Sequence, residues 1–528
     1  MSYWSLRARR SVDFFEKYAV WFVFGASLIA SVVATYYYFR HGDILAYNDA
    51  RSHIDIARRV IDSKTPGIVQ VGTVWLPLPP LLTLPFVANY TLWHNGLAGS
   101  IVSMISYVVA TVFIFKISRL LTANVYAGLL GALIFMLNPN IIYMQSTPMT
   151  ELCLIATMLF GSYFFIKWLY RRRMLDLVVS AFGIFLSTLV RYEGWFVLLT
   201  CTVIILCDGL IFTKERAATE GRAILFVTLG SLGIFIWVLW NLAIWGNPLY
   251  FLNGNVSALA QQNQLAALGE LPTKHNLLLS ISTTLKMVYL NIGALMAIAG
   301  TISLLVVALK KFRDRKIMFA LAVLLAPIVL DLITLFAGVT VVNTSWSQMF
   351  NIRYGVMALP FVAVVVAVAV AAIKLPKWAK VGLGACIVAV GLTAITVTLY
   401  DPIHGIYGSG LSPQTRQLMS AFLADYKGGS ILASTYAFDP AMQMMGIPLK
   451  NYISEGNYHI WQNALVRPQD AAQYVLMAKG GSDVTANDLV YKDYLARKSL
   501  FDKYYRVAYA ESGYELLIRK SSSTRQPA

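Results

Sequence analysis

The chain has 528 residues, of which 58% are hydrophobic and only 13% charged, and it carries a formal net charge of +17. Soluble domains hold about 25% charged residues, so these proportions exclude an ordinary soluble protein and indicate a membrane one. The cationic excess lies mostly in short loops between apolar blocks, which removes the nucleic-acid reading that a basic soluble chain would invite.

The apolar blocks are about twenty residues long, enough to cross a ~30 Å hydrocarbon core, and each must be helical there to satisfy its own backbone. The first runs from Ala19 to Phe39, after Arg7, Arg9 and Arg10. It is too long for a signal peptide and no small-residue cleavage site follows, so it reads as an uncleaved first helix. In chain order the spans fall at about 18–39, 98–120, 124–142, 150–170, 175–190, 194–213, 222–245, 281–309, 317–338, 355–373 and 381–400, which makes about eleven transmembrane helices. If they alternate, one side collects Arg171, Arg172 and Arg173, then Lys214, Arg216 and Arg222. The same side takes Lys310, Lys311, Arg313, Arg315 and Lys316, then Lys374, Lys377 and Lys380. That side is also the side of the N-terminus, which the positive-inside rule places in the cytoplasm of a cell (inner or plasma) membrane protein.

The opposite side receives a first loop over 40–97, short loops near 140–150 and 191–193, loops over 246–280 and 339–354, and a C-terminal domain. The expected division is a transmembrane domain over 1–400, a small α/β extracytoplasmic domain over 401–520 beginning at Asp401, and a disordered tail over 521–528. In the C-terminal domain, strands are expected from Ser430 to Thr435, Tyr505 to Ala510 and Tyr514 to Ile518, the last two joined by a Ser512-Gly513 turn. Helices are expected around 413–425, 468–479 and 485–499. The four cysteines, Cys153, Cys201, Cys207 and Cys386, lie in or beside apolar segments without zinc-like spacing and read as small core hydrophobes.

Candidate chemistry concentrates on the outer side. The first loop reads Tyr47-Asn48-Asp49-Ala50-Arg51-Ser52-His53-Ile54-Asp55, followed by Ala57-Arg58-Arg59, and later by Trp75 and Pro79-Pro80-Leu81. From Asp49 on, Ile54, Ala57 and Ile61 mark one face of an amphipathic helix. Such a helix is expected in the interface plane with that face towards lipid. Asp49 sits near its start, where a carboxylate serves either as a cap or as a functional acid. Glu151, Arg191, Glu193 and Arg353 each fall at an outer helix end. Ionisable groups at such depth are costly and face a cavity or one another, so four of them together point to a shared polar site. Arginine forks suit a phosphate, and a carboxylate can take a proton from an attacking hydroxyl. Asp208 reads as structural, and Asp331, inside a span, has no assigned role. Trp75 is a sugar-stacking candidate or an interfacial anchor, and Trp195, Trp245 and Trp346 read as anchors.

These residues resemble the GT-C glycosyltransferases, most closely family 39, which includes the protein O-mannosyltransferases and the lipid A aminoarabinose transferases. In that family the first outer loop carries Asp-Glu-Ala-x-Tyr. The corresponding stretch here is Asn48-Asp49-Ala50-Arg51-Ser52, with Pro79-Pro80-Leu81 matching a later Pro-Pro-Leu. The first acid is replaced by Asn48 and the basic residue often found before Pro-Pro by Leu78, with His53 and Arg58 as candidates to compensate.

The resemblance implies an α-helical polytopic GT-C-like fold and a polyprenyl-phosphate sugar donor. It implies transfer of the sugar to an acceptor hydroxyl of a glycan, lipid or protein on the extracytoplasmic face. Asp49 would be the catalytic base, and Arg353, Arg191 and Arg58 would bind the donor phosphate. Asn48, Arg51, His53, Glu151, Glu193 and Trp75 would orient substrate. No cofactor is required by this reading. A divalent metal has Asp49, His53 and Asp55 as a partial ligand set, although position 55 does not share a helical face with 49 and 53. The alternatives are a lipid-linked sugar flippase or secondary transporter, and a non-catalytic membrane protein with a binding ectodomain. The absence of an internal repeat and the polar groups at one face favour chemistry over transport.

Overall fold

The structure is a computed structural model, and it describes residues 3–254, 257–267, 269–345, 349–397, 413–479, 488–511 and 513–520. The side chains of Arg7, Arg9 and Arg10, together with Trp346, Ser512, the expected domain start at Asp401 and the 521–528 tail, lie outside the described residues. The chain divides into two compact units. One draws on residues 1–44, 73–79 and 100–408, the other on 45–72, 80–99 and 409–528.

The first unit is that of a multi-pass membrane protein. Among the described residues, seven helices are long and apolar enough to cross a membrane: Tyr18–His41, Leu97–Thr122, Glu151–Arg171, Glu193–Thr213, Ala294–Lys311, Arg315–Ala337 and Ile352–Ala372. Arg216–Gly230 and Leu232–Trp245 form an eighth if the pair, bent by 43°, is one span. The sequence count of about eleven therefore changes in its particulars. The blocks at 124–142 and 175–190 contain helices of 12 and 15 residues, Val125–Met136 and Met174–Thr188. The block at 281–309 is two helices, Leu277–Ile292 and Ala294–Lys311, broken at Gly293 with φ +79°. A left-handed glycine cannot continue a right-handed helix, and hydropathy alone does not register that break.

Small residues allow one close helix contact. Glu151–Arg171 packs on Met174–Thr188, and a Cβ placed on Gly183 would lie 2.6 Å from the Gly161 Cα. The missing Cβ atoms let backbone approach backbone there, with the Phe160 and Ile184 side chains packed alongside, a usual device for joining helices in lipid. At the basic side, Asp208 is buried and pairs with Arg172 at 2.5 Å and Arg315 at 3.5 Å, a structural tie between helix ends.

The second unit carries a five-stranded sheet: β1 Ile431–Leu432, β2 Tyr452–Ile453, β3 Tyr474–Ala478, β4 Tyr505–Glu511 and β5 Tyr514–Arg519. The order is β2-β1-β3-β5-β4. Strand β1 is parallel to both neighbours, and β5 is antiparallel to β3 and β4. The β4–β5 hairpin and the helix Pro413–Asp425 follow the sequence expectation. The expected helix at 468–479 does not. It is helical only over Pro468–Ala471 and then becomes β3, the middle strand. All five β3 residues are buried, so the run is apolar without the alternation that marks a half-exposed strand. Val475, Met477 and Leu517 pack with Trp461, Val490 and Phe501 to make the core.

The helix Asn48–Arg59 belongs to this second unit and packs on Thr435–Met445. Its apolar face, Ala50, Ile54 and Ala57, is fully buried in protein, which corrects the lipid-facing expectation. Ile61 lies beyond the helix end and is 45% exposed. The apolar stripe alone does not distinguish a lipid partner from a protein one.

Candidate active site

In the membrane unit, four helix-end residues singled out by sequence come together. Glu151 is the first residue of Glu151–Arg171, and Glu193 the first of Glu193–Cys207, where the exposed N–H groups of a helix favour a carboxylate. Glu151 is completely buried, and its Oε1 accepts from Arg353 Nε at 3.1 Å and from Arg191 Nη1 at 3.4 Å. Arg191 also donates through Nη2 and Nε to Glu193 Oε1, at 2.7 and 3.0 Å, and through Nη1 to Thr150 Oγ1 at 3.2 Å. The guanidinium carbons of Arg191 and Arg353 lie 5.2 and 5.1 Å from the centre of the Tyr354 ring. One carboxylate thus bridges two arginines, and an aromatic ring supports both.

A third acid joins them. Asp331, on Arg315–Ala337, is buried within electrostatic reach of Glu193, Arg191 and Glu151. Among the described residues, Glu151 Oε2 and Asp331 Oδ2 have no hydrogen-bond donor. These two buried acceptors thus lie in the same cluster as the guanidiniums with lone pairs that call for a donor.

The surrounding loops fix this arrangement. Tyr192 Oη donates to the Val74 carbonyl at 2.9 Å, Leu78 N–H donates to the Leu189 carbonyl at 3.0 Å, and Trp195 Nε1 donates to the Thr188 carbonyl at 2.9 Å. The first two bonds hold the 73–79 segment, with half-buried Trp75, onto the corner that carries Arg191, and the third ties that corner to the preceding helix. A Cβ on Gly194 would fall 2.3 Å from the Ser187 carbonyl oxygen, so the corner closes only over a glycine. Arg353 lies in the short turn Ile352–Ala358, entered through Asn351 at φ +55°.

The other sequence candidates lie in the second unit. Asn48–Arg59 is capped by Tyr47, so Asp49 is inside the first turn rather than at the cap, and it is half-buried. Asn48 Oδ1 is buried with no donor among the described residues. His53 is half-buried. Arg51 donates to Gln443 Oε1, and burial lowers its guanidinium to about 10. Arg58 commits Nε to Asp62 at 3.0 Å and Nη1 to the Val87 and Ala88 carbonyls at 2.6 and 3.1 Å. Those bonds make Arg58 a brace across the second unit. Asp55 is fully buried, accepts from Trp93 Nε1 at 2.7 Å, and is held well above the usual carboxylate range by burial and by neighbouring Asp439. Arg59 pairs with Asp439.

Asp55 therefore points into a protein interior of tryptophan and arginine, which does not suit a ligand set with Asp49 and His53. Among the described residues no three His, Cys, Asp or Glu side chains converge to hold an ion. Among the described residues, Asp49, His53 and Asp55 therefore do not form the ligand set expected for a divalent metal. The sequence reading gave no role to Tyr354, Thr150, Gln443 or Asp439. Tyr354 adjoins a candidate, but the partners at 439 and 443 lie 380 and 392 positions from theirs and left no local signal.

No protein-family model matches the chain, and no curated protein does. Solved structures do. ArnT from Cupriavidus metallidurans, bound to undecaprenyl phosphate, aligns over 95% of this chain and 98% of its own with a TM-score of 0.52 and 12% identity. The Archaeoglobus fulgidus oligosaccharyltransferase in its apo form aligns over 96% of this chain and 75% of its own, with a TM-score of 0.53 and 12% identity. The same enzyme tethered to an acceptor peptide gives a TM-score of 0.50 over 96% and 75%, again at 12% identity. The class this defines is one of fold: the chain has the GT-C architecture, an α-helical polytopic membrane region with a small C-terminal sheet domain.

Proposed function

We propose that the protein is a membrane glycosyltransferase that moves a sugar from a polyprenyl-phosphate-linked donor to an acceptor hydroxyl on the extracytoplasmic face. The observation that carries this reading is the buried Arg191–Glu151–Arg353 bridge in a chain of GT-C fold. In the reaction the acceptor oxygen bonds to the anomeric carbon as the bond from that carbon to the phosphate oxygen breaks, with inversion. The polyprenyl phosphate leaves with its negative charge, and the acceptor proton passes to a carboxylate, for which Asp49 is the candidate. Positive charge aimed at a departing phosphate lowers the barrier most where water is excluded. Arg353 and Arg191 supply that charge. Glu151 and Glu193 hold both guanidiniums, and the second oxygen of Glu151 and that of Asp331 are left to receive sugar hydroxyls. Arg58 serves as a brace, while Asn48, Arg51, His53 and Trp75 remain candidates for orienting substrate.

The same reading places the N-terminus in the cytoplasm, because the loop cations gather on its side, and the C-terminal domain outside. ArnT with bound undecaprenyl phosphate and an oligosaccharyltransferase tethered to a peptide support a lipid-phosphate donor and a large acceptor. The sugar is a hexose or pentose.

The test uses purified protein in detergent, radiolabelled polyprenyl-phosphate sugars and membrane extract as acceptor source. Wild type is expected to move label off the lipid, and Asp49→Asn to lose at least about 100-fold in rate. Equal transfer by both removes Asp49 as base while keeping the enzyme. Lipid binding with no transfer from any donor supports a flippase or binding protein instead.

A further inference from the structure

The break at Gly293 leaves a mark beside Arg353. In a continuous helix the Asn291 carbonyl would accept from the backbone N–H four residues on. Instead it accepts two side-chain amides, Asn138 Nδ2 at 2.9 Å and Asn140 Nδ2 at 3.1 Å. Asn138 is used at both ends, because its Oδ1 caps the helix Pro139–Met144 by accepting from Ile141 N–H at 3.1 Å. The Asn291 side chain reaches the other way. Its Nδ2 donates to the Ile352 carbonyl at 2.7 Å and to the Met287 carbonyl at 2.8 Å. A Cβ on Gly355 would lie 2.5 Å from that nitrogen and 2.5 Å from the Met287 oxygen. Asn291 is 1% exposed, so these bonds form out of solvent, where an amide left without partners is costly.

These contacts straddle Arg353. The Ile352 carbonyl belongs to the peptide unit that enters Arg353, and Gly355 lies two residues beyond it. We infer that Asn291 is a positioning residue: through the Ile352 carbonyl and the close seat of Gly355 it fixes the backbone from which Arg353 projects, and the amides of Asn138 and Asn140 fix Asn291 in turn. The chain trades an unbroken membrane helix for a carbonyl that two other side chains can grip. This inference rests on the proposed function only where it assigns Arg353 to the donor phosphate; the clamp itself stands on geometry. No residue in it is ionisable, so the clamp keeps its bonds at any pH that the fold survives.

The test is a double-mutant cycle on the full-length protein in detergent, made with Asn291→Ala and Arg353→Lys and read as sugar transfer from the polyprenyl-phosphate donor. Hydrogen exchange over 349–358 is followed in parallel. Residues that act through one another are non-additive. Asn291→Ala is expected to lower kcat/KM about 20-fold in the wild-type background and no more than about 2-fold beside Arg353→Lys, with faster exchange confined to the 349–358 turn. Should Asn291→Ala fail to fold, Asn140→Ala loosens the same carbonyl from the far side and should give a smaller loss with the same non-additivity. Equal losses in both backgrounds overturn the positioning role, and so does unchanged exchange in that turn. If wild type transfers no sugar from any donor, the glycosyltransferase reading fails, and the exchange result alone decides whether the clamp is real.

Discussion

Two buried charge networks, one in each compact unit, use the same residue types to different ends. In the membrane unit, Glu151 bridges Arg191 and Arg353, and acceptor oxygens on Glu151 and Asp331 are left without donors among the described residues. In the second unit, Arg58 and Arg51 spend donors on main-chain carbonyls and an amide, and Arg59 pairs with Asp439. The second network joins residues from the first loop to residues near 440 as a brace. The first concentrates charge around unfilled acceptors. A buried ion pair is therefore no sign of function by itself. What distinguishes the membrane cluster is one carboxylate, Glu151, shared by two guanidiniums, with further acids, Glu193 and Asp331, around them.

That contrast can be broken experimentally, and the largest effect is expected at Glu151. Glu151→Gln removes the shared anion and leaves two guanidiniums facing each other, so stability should fall by about 3–5 kcal/mol. Transfer should fall at least about 100-fold in the fraction that folds. Thermal unfolding and initial rates measure the two separately. Next is the brace. Arg59→Met strands Asp439 and is expected to cost about 3 kcal/mol, of which Arg59→Met with Asp439→Leu recovers most, because replacing both partners removes the unpaired charge. Activity should follow stability there. A rate loss persisting in the stable double variant would place the brace in the chemistry.

The smallest effect is a pH dependence. Burial raises Asp488 to about 6, against the pull of hydrogen bonds donated by the Ala478, Val490 and Tyr491 N–H groups. The folded chain then keeps a proton that the unfolded chain releases near 4. Its contribution to stability is present below about pH 4 and is lost as pH rises through about 6, on the order of 2–3 kcal/mol. Asp488→Asn should flatten that slope in urea unfolding followed from pH 4 to 7. An unchanged slope would mean that the three N–H donors keep the carboxylate ionised. The raised Asp55 acts with the same sign.

The sequence made much of the membrane unit legible, because lipid allows few solutions and the ionisable residues at helix ends stand out against apolar runs. Glu151, Arg191, Glu193 and Arg353 are visible for that reason, and so is the pairing of Arg191 with Glu193 two positions on. Asp331 could be seen but not placed, since its partners come from other helices. The 281–309 block hid a helix break, because Gly293 is one residue among many apolar ones and its φ carries no sequence mark. The 468–479 segment hid a central strand because all five residues of β3 are buried, so periodicity had no exposed face to register. The amphipathic stripe of Asn48–Arg59 was visible, but whether it meets lipid or protein depends on Thr435–Met445, almost 400 positions away.

The glycine contact between Gly161 and Gly183 also bears on measurement at the site. Glu151 starts one of these helices, and the other ends three residues before Arg191. Gly183 faces the Gly161 backbone with the Phe160 and Ile184 side chains packed beside the contact, which leaves the two helices little room to slide. A contact this tight, ten residues from Glu151 and eight from Arg191, is expected to hold the helix that Glu151 starts and the helix that ends before Arg191 at a set spacing. A methyl group added at Gly183 should therefore act at long range, widening that spacing and prising the bridged charges apart without touching any of them.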